Sequence, residues 1–227
     1  MNFNPAILPE LLADILRALL LVGLMVLPSF AAGFVLSIPV ALMRLSSRKW
    51  LRWPADAFTV FFRGTPMLVV LYIVYYGFPQ LPLIRQTALW AFFREPINCA
   101  IFVFTINHTA FLSEIWRGAF RNVPRGMFEA AAALGLNWPV NFLKIQFPLA
   151  FRLGLSGYRN EIVMFVKSTA AVSAIALVDI LAVANDYVQE TFDPLTPLVV
   201  AGIVYWLVVQ VIQTGFNHLE TRLKLIT

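Results

Sequence analysis

Apolar residues in this chain run in long uninterrupted stretches, not in the alternation of strands or the narrow stripe of a soluble amphipathic helix. Crossing a ~30 Å hydrocarbon core takes roughly 20 apolar residues in a helix. Five stretches qualify: Ala18 to Met43, Phe58 to Phe78, Ile97 to Trp116, Leu155 to Val178 and Leu195 to Phe216. Runs of this length rule out the alternating strands of a membrane barrel. The pattern predicts an all-α integral membrane protein with five transmembrane helices, residues 1–227 forming one transmembrane domain. Pro28 and Pro39 interrupt the first span, and Arg63 with Pro66 interrupts the second. Proline is tolerated in a span where neighbours satisfy the freed carbonyl, so kinks are expected there.

Composition strengthens this picture. Hydrophobic residues make up 60% of the 227 and charged residues 13%, too few charges to cover a globule of this size in water. The first stretch is longer than the apolar core of a secretory signal and follows Glu10, Asp14 and Arg17, so it reads as a retained helix. Cys99 is the single cysteine; it has no partner for an internal disulfide and reads as a small core residue.

The distribution of cations orients the chain. Arg44, Arg48, Lys49 and Arg52, then Arg117, Arg121, Arg125, Lys144, Arg152 and Arg159, then Arg222 and Lys224 all fall on one side of the five-span arrangement. Only Arg17, Arg85 and Arg94 fall on the other, beside acidic Glu10, Asp14, Glu95, Asp186, Glu190 and Asp193. The positive-inside rule then puts the N-terminus outside and the C-terminus in the cytoplasm. The net charge of +5 reflects this topology and implies no nucleic-acid partner.

The largest cytoplasmic loop contains EAAAALGLNWPVNFLKIQFP, Glu129 to Pro148. Glu129 to Leu134 is strong helix-forming sequence, Pro124 suits a first turn, and Gly135 suits the left-handed residue that ends a helix. Asn137 can cap a second helix starting at Trp138 and Pro139, which Pro148 is expected to stop. Two short helices meeting at a glycine bend could dock into another protein's groove, or form a partnerless amphipathic hairpin on the membrane surface.

Polar residues inside spans mark the candidate path, because such groups face a cavity or each other. The third stretch carries Asn107, His108 and Thr109; the fourth carries Glu161, Lys167, Ser168 and Thr169. At ~1.5 Å per residue, Asn107 and Lys167 both reach the bilayer midplane. A pocket for a zwitterion fits the two clusters, although Asn107 and Thr169 could equally bond helix to helix. His108 reads as a core histidine, with no metal site, since no other His or Cys lies near it in sequence. Glu161 and Lys167 do not share a helix face. Arg63 reads as an interfacial, snorkelling residue.

These residues resemble a known family. Glu129, Ala130, Ala131, Gly135, Ile145 and Pro148 match the EAA loop of ABC importer permeases, here about 121–152, the elbow that couples to the ATPase subunit. Phe62-Arg63-Gly64-Thr65-Pro66, Glu114-Ile115 through Val123-Pro124-Arg125-Gly126, and Asn160-Glu161 through Lys167-Ser168-Thr169 resemble its polar amino acid branch. The insertion Ala88 to Arg94 and the segment Tyr158 to Thr169 look most like the M-type subunit of histidine, lysine-arginine-ornithine and opine (octopine, nopaline) importers. The resemblance implies a type I ABC importer permease fold with a periplasmic N-terminus, in a bacterial inner membrane. It implies uptake of polar or cationic amino acids or opines, with no catalytic residues and no cofactor in this chain. No G-x-x-x-x-G-K-[ST] phosphate loop is present, so ATP and Mg belong to a cytoplasmic ATPase dimer. A second homologous permease subunit and a periplasmic solute-binding protein are the other implied partners. The segment Asn185 to Asp193 is either part of the landing surface for that binding protein or an ordinary solvated loop. A proton-coupled secondary amino acid transporter is the alternative, using His108, Glu114 and Glu161 as a relay.

Overall fold

The computed structural model describes residues 4–224 and is helical throughout. Residues 1–3 and 225–227, the ends of the expected domain, lie outside the described residues. Helix α1, Leu8–Leu45, runs unbroken through Pro28 and Pro39. The first span is thus kept as one helix, which packs along its length on α6, Pro96–Arg121. Met25, Ser29, Gly33, Ser37 and Ala41, spaced four apart, are all buried. Small side chains on one helix row let two backbones approach closely, which is how helices associate where water offers no hydrophobic drive. Ser29 Oγ also donates across the interface to the Ile101 carbonyl at 3.3 Å.

Between them, the expected second span is broken. Helix α2, Lys49–Gly64, ends before Pro66, and α3, Met67–Tyr72, restarts the chain after a turn of 102°. Proline removes the donor that would continue the ladder and forces the preceding residue to extended geometry. Thr65 adopts it, at φ −97° and ψ 130°. What the sequence presents as a kink is therefore a corner. Short helices α4, Pro82–Arg85, and α5, Leu89–Phe93, lead into α6.

Beyond α6 come α7, Arg125–Ala133, and α8, Trp138–Asn141. Pro148 does not stop the helix that starts at Trp138. A π-helical turn, Phe142–Gln146, carries it into α9, Phe147–Ser168, with Pro148 directly after that widened turn. This helix thus starts before the expected fourth stretch, and after Thr169–Ile175 the chain turns by 52° into α10, Ile180–Thr191. Helix α11, Leu195–Lys224, closes the bundle against α9 and α10.

Among the described residues three helices, at Pro5–Leu45, Pro96–Arg121 and Leu195–Leu223, are long and apolar enough to cross a membrane, and up to five spans result if each bent pair counts as one. Leucines 16, 20, 24 and 27 on α1 and Trp206, Leu207 and Val211 on α11 are exposed. Exposed apolar residues this dense are what a chain solvated by lipid presents.

Candidate functional site

The corner after α2 carries one wall of a cavity of about 430 Å³. Its construction begins with Pro66. The carbonyl four residues earlier, on Phe62, would be the acceptor for an N–H at position 66, and proline has none. Asn107 on α6 supplies the missing donor: its Nδ2 lies 3.2 Å from the Phe62 carbonyl oxygen. Asn107 also lines the cavity. A single amide thus ties the broken helix to α6 and forms part of the cavity surface.

The opposite wall comes from α9. Glu161, Met164, Phe165 and Ser168 line the cavity, a spacing of i, i+3, i+4 and i+7 that defines one helix face. Lys167, on another face, is exposed and does not line it. Thr169 is buried, donates at 2.7 Å to the Val166 carbonyl within its own helix, and does not reach the cavity either. His108 stands behind Glu161: it is fully buried, its Nδ1 is 3.3 Å from Glu161 Oε1, and its ring sits between Phe30 and Phe165, each 4.6 Å between centroids. Of the polar residues singled out in the sequence, Asn107, Glu161 and Ser168 meet at the cavity and His108 braces one of them.

Sequence reasoning missed the contribution of Arg63. Placed at the last turn of α2, Arg63 lines the cavity, with its guanidinium carbon 5.4 Å from the centroid of Phe111. Proline three residues on was the available signal, since it ends α2 at this point and aims the last side chains of that helix inward. Arg63 also approaches Glu114, at 3.8 Å. Glu114 is already held by Arg117, one turn along α6, and by Arg44 of α1, 2.6 Å away. Arg44, only 8% exposed, pairs in addition with Asp56 of α2 at 2.8 Å. This cluster fastens the adjacent ends of α1, α2 and α6.

At the same end of the bundle lies the elbow. Gly135 has φ 69°, a region that costs an L side chain about 1–2 kcal/mol. Leu136 N–H donates back to the Ala131 carbonyl at 3.1 Å, and Asn137 Oδ1 accepts from Val140 N–H at 3.2 Å. One helix is closed by a left-handed glycine and the next opened by a side-chain cap, as the sequence indicates. Ala131 is buried, Glu129, Ala130 and Gly135 are exposed, and Ile145 and Pro148 are half-buried. Met127, Leu134, Trp138 and Leu143 are large apolar residues left exposed here, outside the long spans.

An aromatic column joins the elbow to the bundle. Trp138 stacks on Phe142 at 5.2 Å and Phe142 meets Phe120 at 5.7 Å; Phe147 stacks on Trp116 at 5.0 Å, and Trp116 meets Tyr158 at 5.1 Å. Close-packed rings transmit displacement because interiors have few voids to absorb it. The column links the elbow to α6 and α9, the helices that carry Asn107 and Glu161.

Comparison with known proteins gives this geometry a context. Residues 33–225 match the family model described as "Binding-protein-dependent transport system inner membrane component". The chain is 41% identical over 205 residues to the octopine transport system permease protein OccM of Rhizobium meliloti, covering 90% of this chain and 84% of that protein. It is 36% identical over 199 residues to the histidine/lysine/arginine/ornithine transport system permease protein HisM of Salmonella typhimurium, covering 87% and 85%. Among solved structures, an amino acid ABC transporter crystallised with histidines superposes with a TM-score of 0.83 at 22% identity, covering 98% of this chain and 100% of that one, which speaks to the fold.

Proposed function

The chain belongs to the family of binding-protein-dependent transport system inner membrane components, and we propose that it is the permease subunit of an importer for polar or cationic amino acids or opines. It is a transport subunit and not a catalytic one. The observation that carries the substrate path is the cavity between α2, α6 and α9, where Asn107, Glu161 and Ser168 meet Arg63. Polar groups at such a depth are costly unless they serve each other or a passing solute. Relatives named for octopine and for histidine, lysine, arginine and ornithine transport support this substrate class.

In this reading residues 1–227 form one permease domain of five spans, the bent pairs counting as one each. The N-terminus faces the periplasm and the C-terminus the cytoplasm, in a bacterial inner membrane. The coupling loop, about 121–152, docks on a cytoplasmic ATPase dimer that holds the ATP and Mg. Glu129, Ala130 and Gly135 contribute the exposed elbow, while Ala131, Ile145 and Pro148 seat it. A homologous permease subunit completes the path, and a periplasmic binding protein delivers the solute. His108 holds Glu161 in place; Lys167 on α9 and Thr169 just beyond its end flank the path without facing the cavity.

The test is reconstitution of this chain with its partner permease, ATPase and binding protein in vesicles, followed by uptake of labelled arginine, histidine and octopine. Uptake that needs ATP and both soluble partners is expected. Uptake driven by a pH gradient with this chain alone would instead establish a secondary carrier.

A further inference from the structure

The start of α2 carries a patch that the transport reading leaves unused. Arg48, Lys49 and Arg52 are exposed, and none of them makes an ion pair or a side-chain hydrogen bond among the described residues. The first turn of α2 holds no carboxylate, and Asp56, the next one along, is taken by the buried Arg44 at 2.8 Å. These cations therefore have no counter-charge from their own chain. Beside them Trp50 and Trp53 stand 69% and 78% exposed, spaced so that both lie on one side of the helix. That side runs on into exposed Val60 and Phe61, whereas Ala55 and Thr59 are buried against the bundle, Thr59 Oγ1 lying 3.2 Å from Ser113 Oγ of α6.

Position and chemistry together say what covers this side. Helix α1 is apolar enough to cross a membrane and ends at Leu45, so the residues that follow it lie where hydrocarbon gives way to headgroups. Tryptophan favours that depth, having an apolar ring and a polar N–H. Clustered Lys and Arg there attract anionic lipid. At ~1.5 Å per residue Trp50 and Phe61 stand about 16 Å apart along α2, close to the ~15 Å depth of one leaflet of the hydrocarbon core. The side thus passes from cations through tryptophans to apolar residues in the order in which a phospholipid passes from phosphate to acyl chain.

We propose that the start of α2 binds anionic phospholipid of the cytoplasmic leaflet, with the phosphate against Arg48, Lys49 and Arg52 and an acyl chain along Trp53, Val60 and Phe61. The lipid then fixes the end of α2 opposite to the one that walls the cavity.

This inference rests on the topology in the proposed function, and its test separates the two. The purified complex of both permease subunits with the ATPase is exchanged into mixtures of phosphatidylglycerol and phosphatidylcholine, and the lipid it retains is counted by mass spectrometry. Phosphatidylglycerol should be retained in preference; each of Arg48→Gln, Lys49→Gln and Arg52→Gln should lower the preference about fivefold, and the three together on the order of a hundredfold. Arg52→Lys should keep it. An unchanged preference in the triple variant, or displacement of the lipid by inorganic phosphate, overturns the proposal. Should the triple variant fail to assemble, a photoreactive benzoylphenylalanine at position 53 decides: an adduct with phospholipid is expected, and an adduct with the ATPase or the second permease subunit overturns the lipid assignment. Ser47→Cys, exposed beside the patch while Cys99 is buried, reports the topology through an impermeant maleimide. Labelling from the periplasmic side overturns topology and proposal together; labelling from the cytoplasm with no lipid preference overturns the proposal alone.

Discussion

Asn107 donates its side-chain amide to the backbone carbonyl of Phe62 at 3.2 Å, the carbonyl that Pro66, four residues on, leaves without a helical donor. One residue of α6 thereby repairs the break between α2 and α3. The relationship makes Asn107 both a cavity residue and the fastening of a corner.

Replacing Asn107 by Leu should destabilise the purified complex by about 0.6–2 kcal/mol, the range for an interhelical hydrogen bond in a membrane. In a Pro66→Ala background the restored N–H can satisfy Phe62, so the same replacement should cost less. A double-mutant cycle read by thermal unfolding measures this coupling; strict additivity would show that the Asn107 to Phe62 bond does not hold the corner. Thr169→Val, which loses the bond to the Val166 carbonyl and a side-chain hydrogen bond with Tyr205 of α11, should cost no more than that same range.

A Cβ on Gly33 would stand 2.9 Å from His108 Cδ2 and 3.2 Å from the Thr105 carbonyl oxygen. Gly33→Ala should therefore push α1 off α6 and disturb the imidazole that braces Glu161, costing about 1–3 kcal/mol by overpacking. Gly23 on the same helix has nothing within 4 Å of such a Cβ. Gly23→Ala should be neutral or stabilising by up to about 1 kcal/mol. Comparing the two in the same unfolding assay checks the close approach, and equal effects would refute it.

Gly135 meets nothing within 4 Å, so substitution there acts through the backbone alone. Asn, which tolerates a left-handed conformation, should be accepted; Val should misdirect α8. The expected outcome for Gly135→Val is normal membrane insertion with reduced copurification of the ATPase. Undiminished copurification would remove the elbow as the docking element.

Glu114 is three-quarters buried and joins Arg44 of α1 to Arg117 of its own helix, with Arg63 of α2 nearby. Glu114→Gln leaves Arg44, almost fully buried, with Asp56 alone, and should cost on the order of 3 kcal/mol. Asp56 is 43% exposed, so Asp56→Asn should cost under about 1 kcal/mol and less at high salt. Thermal unfolding in low and high salt distinguishes the two, and a reversed order would show Asp56 to be the anchor.

Span-forming stretches, the glycine bend at Gly135 and the cap at Asn137 were legible in the sequence because each rests on local chemistry. Chain length against bilayer thickness, a left-handed backbone and a side chain reaching three residues ahead need no distant partner. The polar residues Asn107, Glu161 and Ser168 also stood out locally, since a span that contains such groups must find use for them. Tertiary structure alone decided which of them share a surface: Lys167 and Thr169 look equivalent to Ser168 along the chain, but only Ser168 falls on the helix face that begins at Glu161. It also decided that Pro28 and Pro39 sit in an unbroken helix while Pro66 makes a corner. Proline removes one donor in every case. At α1 the row of small residues from Ser29 to Ala41 holds the helix against α6, whereas at Pro66 the amide of Asn107 accommodates the break by donating to the carbonyl that it exposes. Arg63 changed meaning for the same reason, because its role depends on a turn of 102° and on a Glu114 already occupied by two other arginines, and neither can be read from the residues around position 63.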